Sequence, residues 1–360
     1  MFDLRQLVKF RLADIFCGAG GLSYGFAQNP LFDLVWALDH DSSALASYQS
    51  NHKTTKTICK DIAQFSKEEC LGYGSIDVLL GGPPCQSYST LGKRQMDTRA
   101  HLFQEYLKIL AAVHPKIFLF ENVVGLLSMQ GGKLFHSICA CFAQMGYQIY
   151  SRVLNAMHFG VPQIRQRVIL VGVDHSYQKP FVFPKPTHEK EFINLRLALD
   201  DLPQIKSGES GDHLGYRHPA NNPFLEFVRD SDTLSEHISP KNNPKLVQIM
   251  EALQDGQDKR DLPPALRPKS GYANTYAKMY WEQPAPTITR NFATPSSSRC
   301  IHPRDSRALS IREGARLQSF PDSYIFCGNA SAKRLQIGNA VPPLLSISLA
   351  QTIGDYLQEL

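Results

Sequence analysis

Apolar residues along this chain fall into short runs that alternate with stretches of helical period. Runs at 12–16, 34–38, 77–80, 117–120, 147–154 and 168–173 predict strands. Between them, residues 101–113 place Leu102, Tyr106, Ile109 and Leu110 on one face, and residues 133–145 do the same with Leu134, Ile138 and Cys141. Two such helices would cover a sheet. The cadence is that of an α/β fold, in which ligands bind beyond the carboxyl ends of the strands, and every polar residue singled out below is expected at such an end. After Val173 the cadence gives way to a segment rich in Pro, Asn and Asp, from about 179 to 286, expected to form a second, irregular domain or a large insertion. A helical stretch at 310–318, a turn at 338–343 and an apolar helix at 344–356 follow, and the last helix is expected to pack back onto the first domain.

Composition narrows the function classes. A chain of 360 residues buries a substantial core without disulfide staples, and its eight cysteines show no Cys-x-x-Cys pair, so they read as free thiols with no metal site. No apolar run is long enough to span a bilayer, and Arg5, Lys9 and Arg11 lead into Asp14 and a glycine-rich segment rather than a signal-peptide core. A soluble protein, cytoplasmic or nucleoid-associated, is expected. Net charge is only +5, but residues 261–320 hold nine Lys/Arg against four Asp/Glu, whereas 181–260 hold ten against thirteen. The local surplus of Arg290, Arg299, Arg304, Arg307, Arg312 and Arg316 suits phosphate contacts; the bland alternative is a solvated face or structural ion pairs, with Arg312 beside Glu313 as the plainest case.

The chemistry concentrates in a few places. Residues 81–86 read Gly-Gly-Pro-Pro-Cys-Gln, which sets Cys85 just past a strand on a backbone stiffened by two prolines. That is either a nucleophile or a buried structural thiol. Residues 14–21, Asp-Ile-Phe-Cys-Gly-Ala-Gly-Gly, form a strand and a glycine turn that opens a helix, an arrangement that brings a cofactor against main-chain amides; Gly18, Gly20 and Gly21 do not follow the dinucleotide pattern. Asp39 ends the next strand and could accept from ribose hydroxyls, and Asp61 from an adenine amino group, although either acid could equally be a helix cap or turn residue. Glu121 follows its strand on the same rim as Cys85. Gln163, Arg165 and Arg167 have period-two spacing, so all three are expected to project to one side as a clamp for a polar ligand.

Taken in order, these motifs resemble the cytosine-5 DNA methyltransferases. The resemblance runs through 14–21, Asp39, Asp61, 81–86, Glu121-Asn122-Val123, Gln163-x-Arg165-x-Arg167, Arg312-Glu313, 315–318, Phe320-Pro321 and 336–343, and lapses only over about 185–282, the family's variable target-recognition region. It implies a Rossmann-like S-adenosylmethionine-dependent methyltransferase sheet with a smaller irregular target-recognition domain. The expected boundaries are a catalytic domain over 1–182 completed by 330–360, a target-recognition domain over 183–290, and a hinge and DNA-contact segment over 291–329.

By the same resemblance, Cys85 attacks carbon 6 of a flipped-out cytosine, a protonated Glu121 donates to ring nitrogen 3, Arg165 holds the base carbonyl, and Gln163 and Arg167 support them. Asp14, Phe16, Gly18, Gly20, Gly21, Asp39, His40, Asp61, Ile62, Pro84, Leu102, Asn339 and Val341 would surround S-adenosylmethionine, with Phe16 close to the adenine and His40 standing where relatives often have Trp. Gln86, Ser87, Arg290 and Arg299 would contact DNA. The partner implied is double-stranded DNA, with no membrane and no metal, acted on by a monomer of the restriction-modification type, a type that implies a cognate restriction endonuclease as a possible further member of the system. Three alternatives compete. A tRNA cytosine-5 methyltransferase shares the scaffold, but those relatives carry Cys-Phe-Thr where this chain reads Ser298-Arg299-Cys300-Ile301-His302-Pro303. An amino-group methyltransferase would put an aromatic residue where Cys85 stands. A silent DNA-binding relative would not need Cys85, Glu121, Arg165 and Asn339 intact.

Overall fold

The computed structural model describes residues 9–84, 100–269 and 274–360. The chain divides into two compact units, one built from 1–155, 166–185 and 346–360, the other from 156–165 and 186–345.

The first unit is built on a sheet of seven strands: β1 (Phe10–Ile15), β2 (Phe32–Asp39), β3 (Lys56–Cys59), β4 (Val78–Gly81), β5 (Ile117–Val123), β6 (Tyr147–Asn155) and β7 (Gln166–Asp174). Their spatial order is β3-β2-β1-β4-β5-β7-β6. The first five strands run parallel, while β7 lies antiparallel between β5 and β6. Helices α1 (Gly21–Gln28), α2 (Ser42–Asn51), α3 (Lys67–Gly72), α4 (Ala100–Val113) and α5 (Lys133–Gln144) connect them. Local chemistry sets the helix starts. The Asp41 side chain accepts from the amides of Ser43 and Ala44 to cap α2, and Ser66 with Glu69 forms a reciprocal capping box on α3.

The core lies where α4 and α5 meet the sheet. Tyr106, Phe118, Phe120 and Phe142 are wholly buried, with Tyr106 edge-on to Phe120 at 5.4 Å and Phe118 4.5 Å from Phe142. Gly172 on β7 faces the Phe118 ring, and a Cβ there would stand 2.0 Å from a ring carbon. Residues 346–360 belong to this unit: the Ser346 hydroxyl accepts from the Gly25 amide, and a Cβ on Gly25 would meet the 346–347 backbone at 2.3 Å.

Two expectations change here. Strand β3 was absent from the predicted set, because its edge position leaves it half-exposed without an apolar run. Strand β5 continues past 120 through Val123, so Glu121 lies inside the strand, opposite Ile169, and Val123 lies opposite Arg167. The amino end of β7 therefore shares a rim with the carboxyl ends of the parallel strands. Arg167 reaches that rim from an amino end, not from a carboxyl end.

The second unit has little regular structure: α6 (Leu195–Leu199), α7 (Pro223–Val228), α8 (Pro244–Glu251), α9 (Ile311–Leu317) and α10 (Ala330–Asn339). The last helix, α11 (Pro343–Gln358), begins in this unit and runs on into 346–360. Asn194, Asn222, Asn243 and Asn329 cap α6, α7, α8 and α10 with their side chains. Buried ion pairs lie among its buried apolar side chains, such as Leu195, Leu225, Val228, Leu317 and Phe320. Arg316 bonds Asp201 and Asp322, and Arg307 bonds Asp305 and both oxygens of Glu313. Arg312 donates to the carbonyls of Ser235 and Pro321, so the partner of Glu313 is Arg307 and not its neighbour. Arg307, Arg312 and Arg316 are at most 1% exposed, which removes them from the expected phosphate-contacting set.

Candidate active site

In the first unit, the segment after β1 turns sharply. Phe16 and Gly18 take φ of 57° and 54°, and Gly20, at 91°, caps α1. No atom lies within 4 Å of the position a Cβ would take on Gly18, so the loop presents its main chain to open space. Asp39, at the end of β2, holds this loop: its carboxylate accepts from the Gly18 amide at 2.8 Å and the Asp41 amide at 2.9 Å, with the His40 ring at 3.2 Å. Burial alone would raise its pKa, but the bonds from His40, Asp41 and Gly18 outweigh that and hold it below the ordinary value. His40 itself is largely exposed.

Asp14 plays a different part from Asp39. It is buried, accepts from Ser23 at 2.5 Å, and Ser23 in turn accepts from the Tyr48 hydroxyl at 2.8 Å. Burial pushes its pKa up to about 7, with the Ser23 bond opposing and Asp39 adding to the rise. Its carboxyl group supports α1 from beneath the loop, and neither Ser23 nor Tyr48 carried a sequence signal for this. Asp61 is exposed and caps a short turn through the Ala63 amide, whereas Ile62 and Leu102 pack into or against the core.

Cys85, Gln86 and Ser87 lie outside the described residues, but the chain leading to them is fixed. A Cβ on Gly81 would stand 2.7 Å from Tyr106, and one on Gly82 would stand 3.1 Å from Glu121 Oε2. The buried Asn122 amide donates to the Pro83 carbonyl at 3.0 Å, and Pro84 is exposed. Glu121 Oε1 meets Arg167 Nε at 2.7 Å, with each side chain 12% exposed. A carboxyl group paired with a guanidinium thus stands beside the turn that leads to the thiol.

In the second unit, Gln163 and Arg165 are buried. Arg165 donates to the carbonyls of Ile288, Gly338 and Ala340 at 2.8–2.9 Å, and Gln163 donates to Leu317 O and Gln318. The expected three-residue clamp is therefore divided: β7 starts only at Gln166, so Gln163 and Arg165 face their own unit while Arg167 faces Glu121. Asn339 is exposed at the end of α10 and Val341 is buried. Arg290 is exposed, whereas Arg299 is tied to the carbonyls of Gly256 and Lys278.

The model of the C-5 cytosine-specific DNA methylases matches residues 10–355, and the chain belongs to that family. It is a DNA (cytosine-5)-methyltransferase. It is 33% identical to the type II methyltransferase M.DdeI of Desulfomicrobium norvegicum, over 97% of this chain and 89% of the relative, and 31% identical to M1.HphI of Haemophilus parahaemolyticus, over 94% and 85%. Among solved structures, a prophage-encoded protein of E. coli described as a DNA modification methyltransferase superposes with a TM-score of 0.80 at 23% identity, covering 97% of this chain and all of that one. Dnmt2 of Spodoptera frugiperda reaches 0.63 at 15% identity over 96% and 99%, and these two likenesses concern the fold alone.

Proposed function

We propose that this chain methylates carbon 5 of one cytosine within a specific double-stranded DNA sequence, with S-adenosylmethionine as donor, as the modification enzyme of a restriction-modification system. The Glu121–Arg167 pair beside the Asn122-pinned turn carries this reading. The type II names of its relatives favour the restriction-modification role.

The residues present fit the donor. Gly18 leaves its amide segment open, and the Asp39 carboxylate and the exposed Asp61 suit hydroxyl and amino groups. When bound, S-adenosylmethionine supplies an electrophilic methyl group. The chain's own residues prepare the base. Carbon 6 is shielded in a stacked duplex, so the cytosine must be flipped out at a cost of a few kcal/mol. Cys85, as thiolate, forms a bond to carbon 6 and pushes electron density onto carbon 5, while Glu121 donates at ring nitrogen 3. After methylation, a water or hydroxide base takes the proton from carbon 5, the thiolate leaves carbon 6 as the double bond is restored, and the proton at ring nitrogen 3 returns to Glu121.

The geometry supports one reassignment. Arg167 occupies Glu121 Oε1 and leaves Oε2 towards the space kept open by Gly82, so Arg167 is the residue suited to orient the acid and meet the base carbonyl. Arg165, saturated with three carbonyls, suits a supporting role. Incubation with labelled S-adenosylmethionine tests the reading: label is expected in cytosine of duplex DNA and lost in Cys85→Ala, which still binds DNA. Label in tRNA and none in DNA would overturn it.

A further inference from the structure

The turn between β1 and α1 adopts a conformation that local sequence alone does not favour. Phe16, Gly18 and Gly20 all have positive φ, and Phe16 lacks a glycine's freedom there, so the turn persists only where its surroundings fix it. The leading half is fixed from β2: Asp39 accepts from the Gly18 amide, and Cys17 N donates to Leu38 O at 3.2 Å. The trailing half, where the turn becomes α1, is fixed from α2.

Two buried residues one helical turn apart make that connection, Tyr48 within α2 and His52 at its end, with ring centres 4.4 Å apart. The Tyr48 hydroxyl donates to Ser23 Oγ at 2.8 Å, and Ser23 donates to Asp14 Oδ2 at 2.5 Å, so α2 is tied through the first turn of α1 to β1. His52 Nε2 lies 3.3 Å from the carbonyl of Gly20, the residue that caps α1. Facing a carbonyl, Nε2 is assigned the ring proton, and burial keeps the ring neutral, its pKa pushed down to about 4. Tyr48 also packs with Cys17, Ala37 and Leu45. Apolar side chains at 23 and 48 would fill this space without burying two hydroxyls and a carboxyl group, but they would leave the turn free to slide. Directional bonds fix it.

We propose that Tyr48 and His52, with Ser23 between Tyr48 and Asp14, are positioning residues for methyl-donor binding, and that they hold the turn at 16–23 in the conformation that presents its main chain to S-adenosylmethionine. Being buried, Tyr48, His52 and Ser23 act through the turn and not on the donor itself. A turn held in advance pays little ordering entropy when the donor arrives, so the bonds beneath it are read out as donor affinity. The inference rests on the donor reading above and extends the donor site to three residues outside every motif that carried the family resemblance.

The test is calorimetric titration of the full chain with S-adenosylhomocysteine, well below each melting point, for wild type, Ser23→Ala, Tyr48→Phe, the Ser23→Ala/Tyr48→Phe double variant, His52→Leu and His52→Gln. Tyr48→Phe keeps the ring, and glutamine keeps a donor for the Gly20 carbonyl, so both are expected to fold. Each lost hydrogen bond should weaken binding by roughly 2- to 12-fold. The double variant should bind little worse than Ser23→Ala alone, which already removes the Tyr48 bond. His52→Gln should recover most of the affinity that His52→Leu loses. In steady-state assays the KM for S-adenosylmethionine should rise by more than kcat falls, with affinity for duplex DNA unchanged. Wild-type donor affinity in the folded variants, or equal losses for glutamine and leucine at 52, would overturn the positioning role alone. A wild type that binds no S-adenosylhomocysteine would overturn the parent reading and this inference together.

Discussion

Arg167 and Glu121 meet at 2.7 Å between Nε and Oε1, on neighbouring antiparallel strands. The pair is almost enclosed yet remains at the rim of the sheet, so the arginine can orient the acid without sealing it off. Glu121→Gln should lower methyl transfer by about 100-fold or more while leaving the thermal melting point near wild type. Arg167→Ala should slow transfer by a similar order with only a small loss of stability. Single-turnover rates beside melting curves check both.

Arg165 should behave in the opposite way. Replacing it with Met strips the donor from three carbonyls in the second unit, and the expected loss is about 3 kcal/mol or more of stability by chemical denaturation. Whatever fraction stays folded should transfer methyl groups far better than Glu121→Gln.

Gly82→Ala probes the space beside the acid. Its new methyl group would lie 3.1 Å from Glu121 Oε2, so the carboxyl group must shift by a few tenths of an ångström. We expect a reduced rate with an intact fold, seen as a fall in kcat without a matching fall in the melting point.

Two buried acids should give stability profiles of opposite sign. Asp14 has a folded pKa raised to about 7 from 3.8, so the folded form keeps a proton that the unfolded form releases. Its contribution is therefore fully present below about pH 4 and is lost as pH rises towards 7. Asp14→Asn should flatten that decline. Glu313 is buried, which opposes its charge, but Arg307 wins and holds it well below the ordinary carboxylate range. Its contribution is present above the unfolded value of 4.5 and fades as pH falls below it. Glu313→Gln should cost about 3–5 kcal/mol at neutral pH, because it leaves Arg307 short of a buried partner. Denaturation curves between about pH 2 and 8 separate the two acids, Asp14 through the decline above pH 4 and Glu313 through the loss below 4.5.

The sheet was legible because its central strands are continuous apolar runs, and the runs at 77–80 and 117–120 predict β4 and β5. β3, with Lys56 and Cys59 exposed at the edge, offered no such run. Asp39 was legible from its place at the end of a strand, but the division of labour between Asp39 and Asp14 depends on burial, which local sequence does not encode. Period-two spacing grouped Gln163 with Arg165 and Arg167, yet that period applies only inside a strand, and the strand begins at Gln166. The fate of Arg316 was likewise hidden, since Asp201 is more than a hundred positions from it in the chain.

The insertion of β7 between β5 and β6 has an evolutionary cost. Between Asn155 and Gln166 the chain leaves the sheet and returns, and those ten residues carry Gln163 and Arg165 into the folding unit that also contains the variable segment. New target preferences acquired by exchanging that segment must therefore keep the junction at 285–288, where Ile288 accepts from Arg165 and donates to Gln163, compatible with a fragment encoded more than a hundred codons upstream. Recombination with breakpoints at about 186 and 284 would respect the junction. One that brings in foreign residues at 285–288 would need a matching change at Gln163 or Arg165, so specificity in this lineage should drift by exchange of whole cassettes more readily than by shuffling within them.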